Sequence, residues 1–159
     1  MAGMKITFKY DLPLNETMQF EAIYPDELQM DLVEKQELRD AKGSIFVWMF
    51  VDDVCVGEAY GVPLSSLDEA VEGLADADPR AMYCYSNTIM PDYQGKGWGK
   101  ILKAHWLGFV KGAGFSLICG HARPNGSQQL NDDFGVQWLG DFPDWYGTGE
   151  TYRLYKLTI

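Results

Sequence analysis

Residues Gln94 to Lys100 read Gln-Gly-Lys-Gly-Trp-Gly-Lys, directly after the apolar run Thr88-Ile89-Met90-Pro91 and at the start of a helical stretch. Glycines at alternate positions clear Cβ atoms from a turn, so that its N–H groups can converge on a close, negatively charged group. The helix that begins there adds unpaired N–H donors and its positive dipole end. Lys96 and Lys100 supply basic charge beside them. This combination predicts a phosphate-holding loop between a strand and a helix. It is not a nucleotide P-loop, because Gly99-Lys100 is followed by Ile101 where that loop needs Ser or Thr. Nor is it a dinucleotide fingerprint: counting from Gly95, the sixth position is Lys100 rather than Gly, and no acidic ribose ligand lies about 20 residues on.

What fits is Q-x-x-G-x-G, met by Gln94, Gly97 and Gly99 and preceded by Ile89-x-Pro91 at a strand end. This hexad resembles the acetyl-CoA loop of the GNAT acyltransferase superfamily, and the resemblance covers the chain from Ser44 to its end; the N-terminal third matches in element order only. It implies a mixed α/β fold of three layers, α/β/α, with a mostly antiparallel sheet and a splayed central strand pair. It implies acetyl-CoA, or another acyl-CoA, as co-substrate and no metal. The cofactor segment would comprise Ile89, Met90, Gln94, Gly95, Lys96, Gly97, Trp98, Gly99 and Lys100, with loop amides on the pyrophosphate. The strand over 81–90 would splay from the strand over 115–121, with the pantetheine arm in the wedge. Asn125, in Ala-Arg-Pro-Asn-Gly-Ser, matches a family Asn near the pantetheine. The resemblance also allows a homodimer. One departure stands out: the short helix over 127–133 has no Tyr where many members place the acid that protonates the leaving thiolate. Tyr146 and Tyr152 are substitutes by chemistry alone. A non-catalytic acyl-CoA-binding module of the same fold is the competing expectation.

Acyl transfer to an amine requires that the amine arrive unprotonated, and a lysine-like amine of pKa ~10.4 is neutral about once in 10³ molecules at pH 7. A base or a desolvating pocket must supply the difference. Period-2 alternation in the strand before the loop puts Tyr83, Tyr85 and Asn87 on one face and Met82, Cys84 and Ser86 on the other. The resemblance places a catalytic Glu or His of other members at Tyr83 or Tyr85, so that face is expected to look into the acceptor site. The bases expected are Glu58, in a strand almost free of other charge and therefore outside the apolar core, and His121, whose imidazole ends the later strand. His105 reads as a packed core residue, and the parity of Cys84 argues against it as a nucleophile. Trp138, Phe142, Trp145, Tyr146, Tyr152 and Tyr155 crowd the last segment, interleaved with Asp141 and Asp144. Rings and carboxylates together suit a cationic acceptor, a small-molecule or peptide amine.

The bounds agree. The 159 residues make one domain, 1–159, able to bury roughly two-thirds of its unfolded surface. No run approaches the ~18 apolar residues of a membrane span, and the first residues lack a signal-peptide stretch. Three cysteines, an odd number, point to reduced thiols and a cytoplasmic protein. A net charge of −10 excludes nucleic-acid binding by bulk electrostatics. From Tyr93 to Asn131 there are five basic residues (Lys96, Lys100, Lys103, Lys111, Arg123) and no acid, a basic island suited to an anionic cofactor.

The elements expected to hold these groups are a strand over 5–10 and a helix over 27–39 opened by a capping box at Asp26 and Gln29. Two strands over 44–51 and 54–62 meet across Asp52-Asp53, and a short acidic helix is marked by Leu67, Val71 and Leu74. The strand over 81–90 follows, then a helix with Trp98, Leu102, His105 and Phe109 on its apolar face, stopped by Gly112 and Gly114. A strand over 115–121, a helix over 127–133, a strand over 136–139 and a final strand over 148–157 complete the chain.

Overall fold

A computed structural model describes residues 3–67, 71, 73–74 and 78–159. Seven strands form one sheet: β1 (Ile6–Lys9), β2 (Ile45–Val51), β3 (Val54–Pro63), β4 (Ala81–Ile89), β5 (Leu117–Ala122), β6 (Gln137–Phe142) and β7 (Tyr152–Thr158), in the order β1-β2-β3-β4-β5-β7-β6. Every neighbouring pair is antiparallel except β4–β5, which is parallel and joined by the crossover helix α2 (Trp98–Gly112). Asp52 and Asp53 close the β2–β3 hairpin with φ of 48° and 67°, the left-handed pair that a tight two-residue turn requires. Among the described residues the other α-helices are α1 (Leu32–Asp40) and α3 (Gly126–Asp133). Among the described residues no helix is long and apolar enough to cross a membrane.

β2 is buried throughout because both faces of the sheet are covered. On one face Val47, Met49, Ala59, Met82 and Ile118 pack under Leu102, Trp106 and Val110 of α2. On the other, Phe46, Trp48, Phe50 and Tyr60 meet Leu14 and Phe20 from the segment before α1. The expected three layers are thus present.

Several local expectations differ. The first α-helix starts at Leu32, not Glu27, because Asp31 rather than Asp26 makes the capping box: the Glu34 amide donates to Asp31 Oδ1 at 2.8 Å and Glu34 Oε1 accepts from the Asp31 amide. Gln29 does donate to Asp26 Oδ1 at 3.3 Å, but from extended backbone after a 3-10 turn over Asp26–Leu28, and it also donates to the Tyr24 carbonyl, so the pair opens no α-helix. The apolar face of α2 runs through Trp98, Leu102, Trp106 and Val110. His105 lies half-buried at its margin, stacked on Phe8, and Phe109 is exposed. The short acidic helix expected near Leu67 falls largely outside the described residues; Leu67, Val71 and Leu74 themselves pack against a cluster containing Leu64 and Tyr83. The final strand starts at Tyr152, after a turn that contains Trp145.

Candidate active site

The loop after β4 is built as its glycines require. Ile89 ends the strand and its carbonyl accepts from Gln94 Nε2 at 2.9 Å, which folds the 3-10 turn Pro91–Tyr93 back against the strand end. Gly95 and Gly97 then take φ of +79° and +81°, in the left-handed region that side chains with a Cβ rarely enter. A Cβ at either position would meet no protein atom within 4 Å, so both glycines face open space. Gly99 differs: it lies in the first turn of α2 without a positive φ, and a Cβ there would make only an ordinary contact with Ile89 at 3.6 Å. The first i→i−4 bond of the helix runs from the Ile101 amide to the Gly97 carbonyl at 3.4 Å, which leaves the amides of Trp98, Gly99 and Lys100 at an open N-terminus. Tyr93 stacks on the buried ring of Trp98 and holds this corner.

The basic island is smaller in space than in sequence. Lys96 and Lys100 flank the loop, and Lys100 lies 3.5 Å from Asp133 of α3. Arg123 pairs with Glu150 at 3.0 Å, Lys111 sits in the last turn of α2, and Lys103 is buried.

Beside the loop the sheet opens. β4 and β5 pair only through Ala81–Leu117, Met82–Ile118 and Tyr83–Cys119; from Cys84 onward β4 pairs with β3 alone. A bulge accompanies the parting. Tyr60 of β3 faces Ser86 while Gly61 faces Cys84, so Tyr85 is an extra residue and the side-chain alternation resets there. This overturns the expected parity for two residues. Ser86 and Thr88 share the face of Tyr83 and Tyr85, where both hydroxyls meet Tyr24 Oη at 2.7 Å. Asn87 turns to the α2 face and donates to the Gly99 carbonyl at 3.5 Å.

The Tyr83 face gathers most of the expected catalytic groups. Tyr83 Oη lies 2.6 Å from His121 Nδ1, Tyr85 meets Tyr83 edge-on, and His121 stacks on Trp145 with ring centroids 4.1 Å apart. Phe142 closes one edge of the imidazole, and Tyr146 stands 68% exposed next to Trp145. Asp144 and Tyr146 carry this turn with positive φ, a strained conformation for residues with side chains. Burial pushes the Tyr85 hydroxyl up to about 12 and that of Tyr83 well above its ordinary value, so neither phenol is a free base near neutrality. The carboxylates expected to attract a cation here are otherwise engaged. Asp144 accepts from the Gly149 amide at 2.8 Å, and Asp141 lies 3.4 Å from Arg153. Among the described residues, aromatic rings form most of the wall.

Glu58 is on this same side of the sheet but not in this cluster, and it is fully buried, contrary to the expectation that it would avoid the core. Its Oε2 accepts from Lys35 Nζ and from Trp48 Nε1, each at 2.8 Å, and Lys35 reaches Glu21 at 3.1 Å on its other side. A charge enters the core because its partner enters with it. Burial, opposed by Lys35, pushes the Glu58 carboxyl up to about 7. Lys35, Glu21 and Trp48 carry no local signature as a cluster, since a helix, a 3-10 turn and a strand bring them together. Asn125 caps α3, its Oδ1 accepting from the Ser127 amide at 2.8 Å.

Neither a family model nor a curated protein sequence matches the chain. Solved structures do. One is a candidate acetyltransferase of the GNAT family from Desulfovibrio desulfuricans, with a TM-score of 0.68 and 18% identity over 97% of this chain and 99% of that one. Arabidopsis thaliana NAA60 in complex with acetyl-CoA gives a TM-score of 0.76 and 14% identity over 98% and 99%. The ribosomal-protein-S18-alanine N-acetyltransferase of Escherichia coli gives 0.71 and 14% over 98% and 94%. The chain has the fold of the GNAT acetyltransferases. Within this GNAT fold two buried acceptors, Asn87 Oδ1 on β4 and Asn131 Oδ1 on α3, have no hydrogen-bond partner. The unpartnered Asn87 acceptor, on the strand whose edge is unpaired, fits a ligand that carries amide donors, and the open amides of the glycine loop fit a phosphate.

Proposed function

We propose that this chain is an acetyl-CoA-dependent N-acetyltransferase acting on a primary amine of a small molecule or peptide by direct attack in a ternary complex. The observation that carries the reading is the joining of three features at one point: a positive-φ glycine loop opening a helix, a strand pair that parts beside it, and a Tyr83–His121 pair facing the parting from the opposite side. The amides of Trp98, Gly99 and Lys100, with those of the glycine loop, would hold the pyrophosphate. The unpaired edge of β4 and the Asn87 and Asn131 acceptors would hold the pantetheine amides. Tyr83 would take the proton of the amine as it passes its own to His121 Nδ1, which makes the imidazole the base and the phenol its relay. Tyr85 and Trp145 wall the acceptor, with Tyr146 at its exposed rim.

The test is acetyl-CoA turnover against a panel of amines, together with thermal denaturation. Acetyl-CoA or CoA at 100 times its Kd adds about 2.7 kcal/mol to stability, or a melting shift of roughly 5–10 °C. Absence of any shift with millimolar ligand, in protein shown to be ligand-free, refutes the reading. The loop yields a second prediction. Gly97→Val forces a β-branched residue into φ +81° and projects it into the open cradle, so CoA affinity is expected to fall well over tenfold. Lys100→Ala removes a half-exposed charge already shared with Asp133, and is expected to weaken binding by on the order of 1 kcal/mol, less in high salt. Titration of both variants at two ionic strengths checks the ranking; a larger loss from Lys100→Ala would place the phosphate off the amides.

A further inference from the structure

Lys103 follows Leu102 on the buried face of α2 and is 1% exposed, yet it belongs to none of the ion pairs among the described residues. Its ammonium lies 5.4 Å from the ring centre of Tyr155 on β7 and 5.9 Å from that of Phe134 after α3. The titratable groups that face it are Cys84 from β4 and Tyr155 from β7. An unpaired buried ammonium is one of the least favourable things a core can hold, and a methionine there would be more stable. The other buried lysine, Lys35, has two carboxylates. Stability therefore does not account for Lys103.

Its position does suggest a role. Gly120 of β5 faces Tyr155 in register, and a Cβ on Gly120 would stand 2.8 Å from Tyr155 Oη and 3.1 Å from the Cys84 carbonyl. The phenol thus reaches across the bare β5 backbone towards β4 in the row just past the last β4–β5 pair. That row is the closed end of the wedge. A pantetheine arm entering from the loop would meet that row, beside the Tyr155 ring over which Lys103 Nζ stands at 5.4 Å.

We infer that Lys103 is a catalytic residue whose ammonium receives and protonates the departing thiolate, the task for which α3 carries no tyrosine. The inference rests on the acetyl-CoA reading above. In the step, the lone pair of the amine forms the N–C bond, the C–S bond breaks with its electron pair going to sulfur, and sulfur takes a proton from Lys103 Nζ. The amine nitrogen releases its proton through Tyr83 to His121, and water restores the Lys103 proton when the products leave. In a low-dielectric site a fixed ammonium stabilises a developing thiolate far more than it would in water. Burial also holds the Lys103 ammonium below its ordinary value, which makes it a readier proton donor.

The experiment compares wild type with Lys103→Met and Tyr155→Phe, using CoA itself as the probe and reading the ultraviolet absorption of its thiolate against pH. In wild type the bound thiol is expected to ionise at least tenfold more readily than free CoA, and Tyr155→Phe is expected to retain that effect. Lys103→Met is expected to abolish it, to lower the acetyl-transfer rate by about 10–10²-fold, and to raise the melting temperature. A rise in melting temperature with a fall in rate is what a structural role cannot produce. If wild type fails to bind CoA at all, the acetyl-CoA reading fails and this inference with it. If CoA binds with an unshifted thiol, or if Tyr155→Phe alone abolishes the shift, the acetyl-CoA reading stands and the role of Lys103 is refuted.

Discussion

Replacing His121 by alanine is expected to lower kcat for amine acetylation by about 10²–10⁴ while leaving CoA affinity within about twofold. Burial raises both neighbouring phenols and leaves them protonated, so the proton of the amine has to pass on to the imidazole nitrogen 2.6 Å from Tyr83 Oη. Alanine also removes a ring stacked on Trp145 at 4.1 Å and edged by Phe142, which costs about 1 kcal/mol of packing. His121→Phe separates the two effects, since it restores an aromatic ring but cannot accept a proton. Both variants should lose rate to a similar extent. Glu58→Gln supplies the contrast. With its carboxylate fully buried and held by Lys35 and Trp48, Glu58 is not in reach of an acceptor amine, and its replacement should keep the rate within a few-fold of wild type. If His121→Phe retains the wild-type rate and Glu58→Gln loses it, the two residues exchange roles and the Tyr83 relay is wrong.

The contrast between these two residues shows what the sequence could convey. Loop, crossover helix and hairpin are legible because each is fixed within a few residues: glycines where φ must be positive, two aspartates in the β2–β3 turn, a 3.6-residue repeat in α2. The wedge face is legible through Tyr83 and Tyr85, and only as far as strict alternation holds. Asn87 and Ser86 exchange faces because Tyr85 is bulged, and a bulge is defined by how β4 registers against β3, which the alternation along β4 alone does not carry. Glu58 is misread for a similar reason. A lone acid in an apolar strand looks excluded from the core until Lys35, 23 residues earlier, arrives with its own helix. Lys103 did leave a trace. It interrupts the stripe that continues through Leu107 and Val110, and a lysine on the buried side of an amphipathic helix is a signal that periodicity alone can raise.

The Glu21–Lys35–Glu58 cluster carries the other large expected effect, on stability rather than rate. Glu58 titrates at about 7 in the folded chain against an ordinary 4.5, so the folded state binds its proton more tightly than the unfolded state does. The sign follows directly. The contribution is fully present below about 4.5, where both states are protonated, and is lost as pH rises through about 7, where the buried group must ionise. The loss is about 3 kcal/mol. Glu58→Gln keeps the shape and an acceptor for Trp48 but cannot ionise, so its melting temperature relative to wild type should climb between pH 5 and pH 8 and then level off. Lys35→Met should behave in the opposite way. At pH 8 it strands two carboxylates in the core without their cation and should destabilise by about 3–5 kcal/mol, a large part of the total for a domain of this size. At pH 5 a protonated Glu58 relieves the repulsion from Glu21, and much of that deficit should vanish. Calorimetric melting of both variants at the two pH values decides the matter. A Lys35→Met deficit that is the same at pH 5 and pH 8 would mean that Glu58 keeps one protonation state across that range and does not titrate near 7.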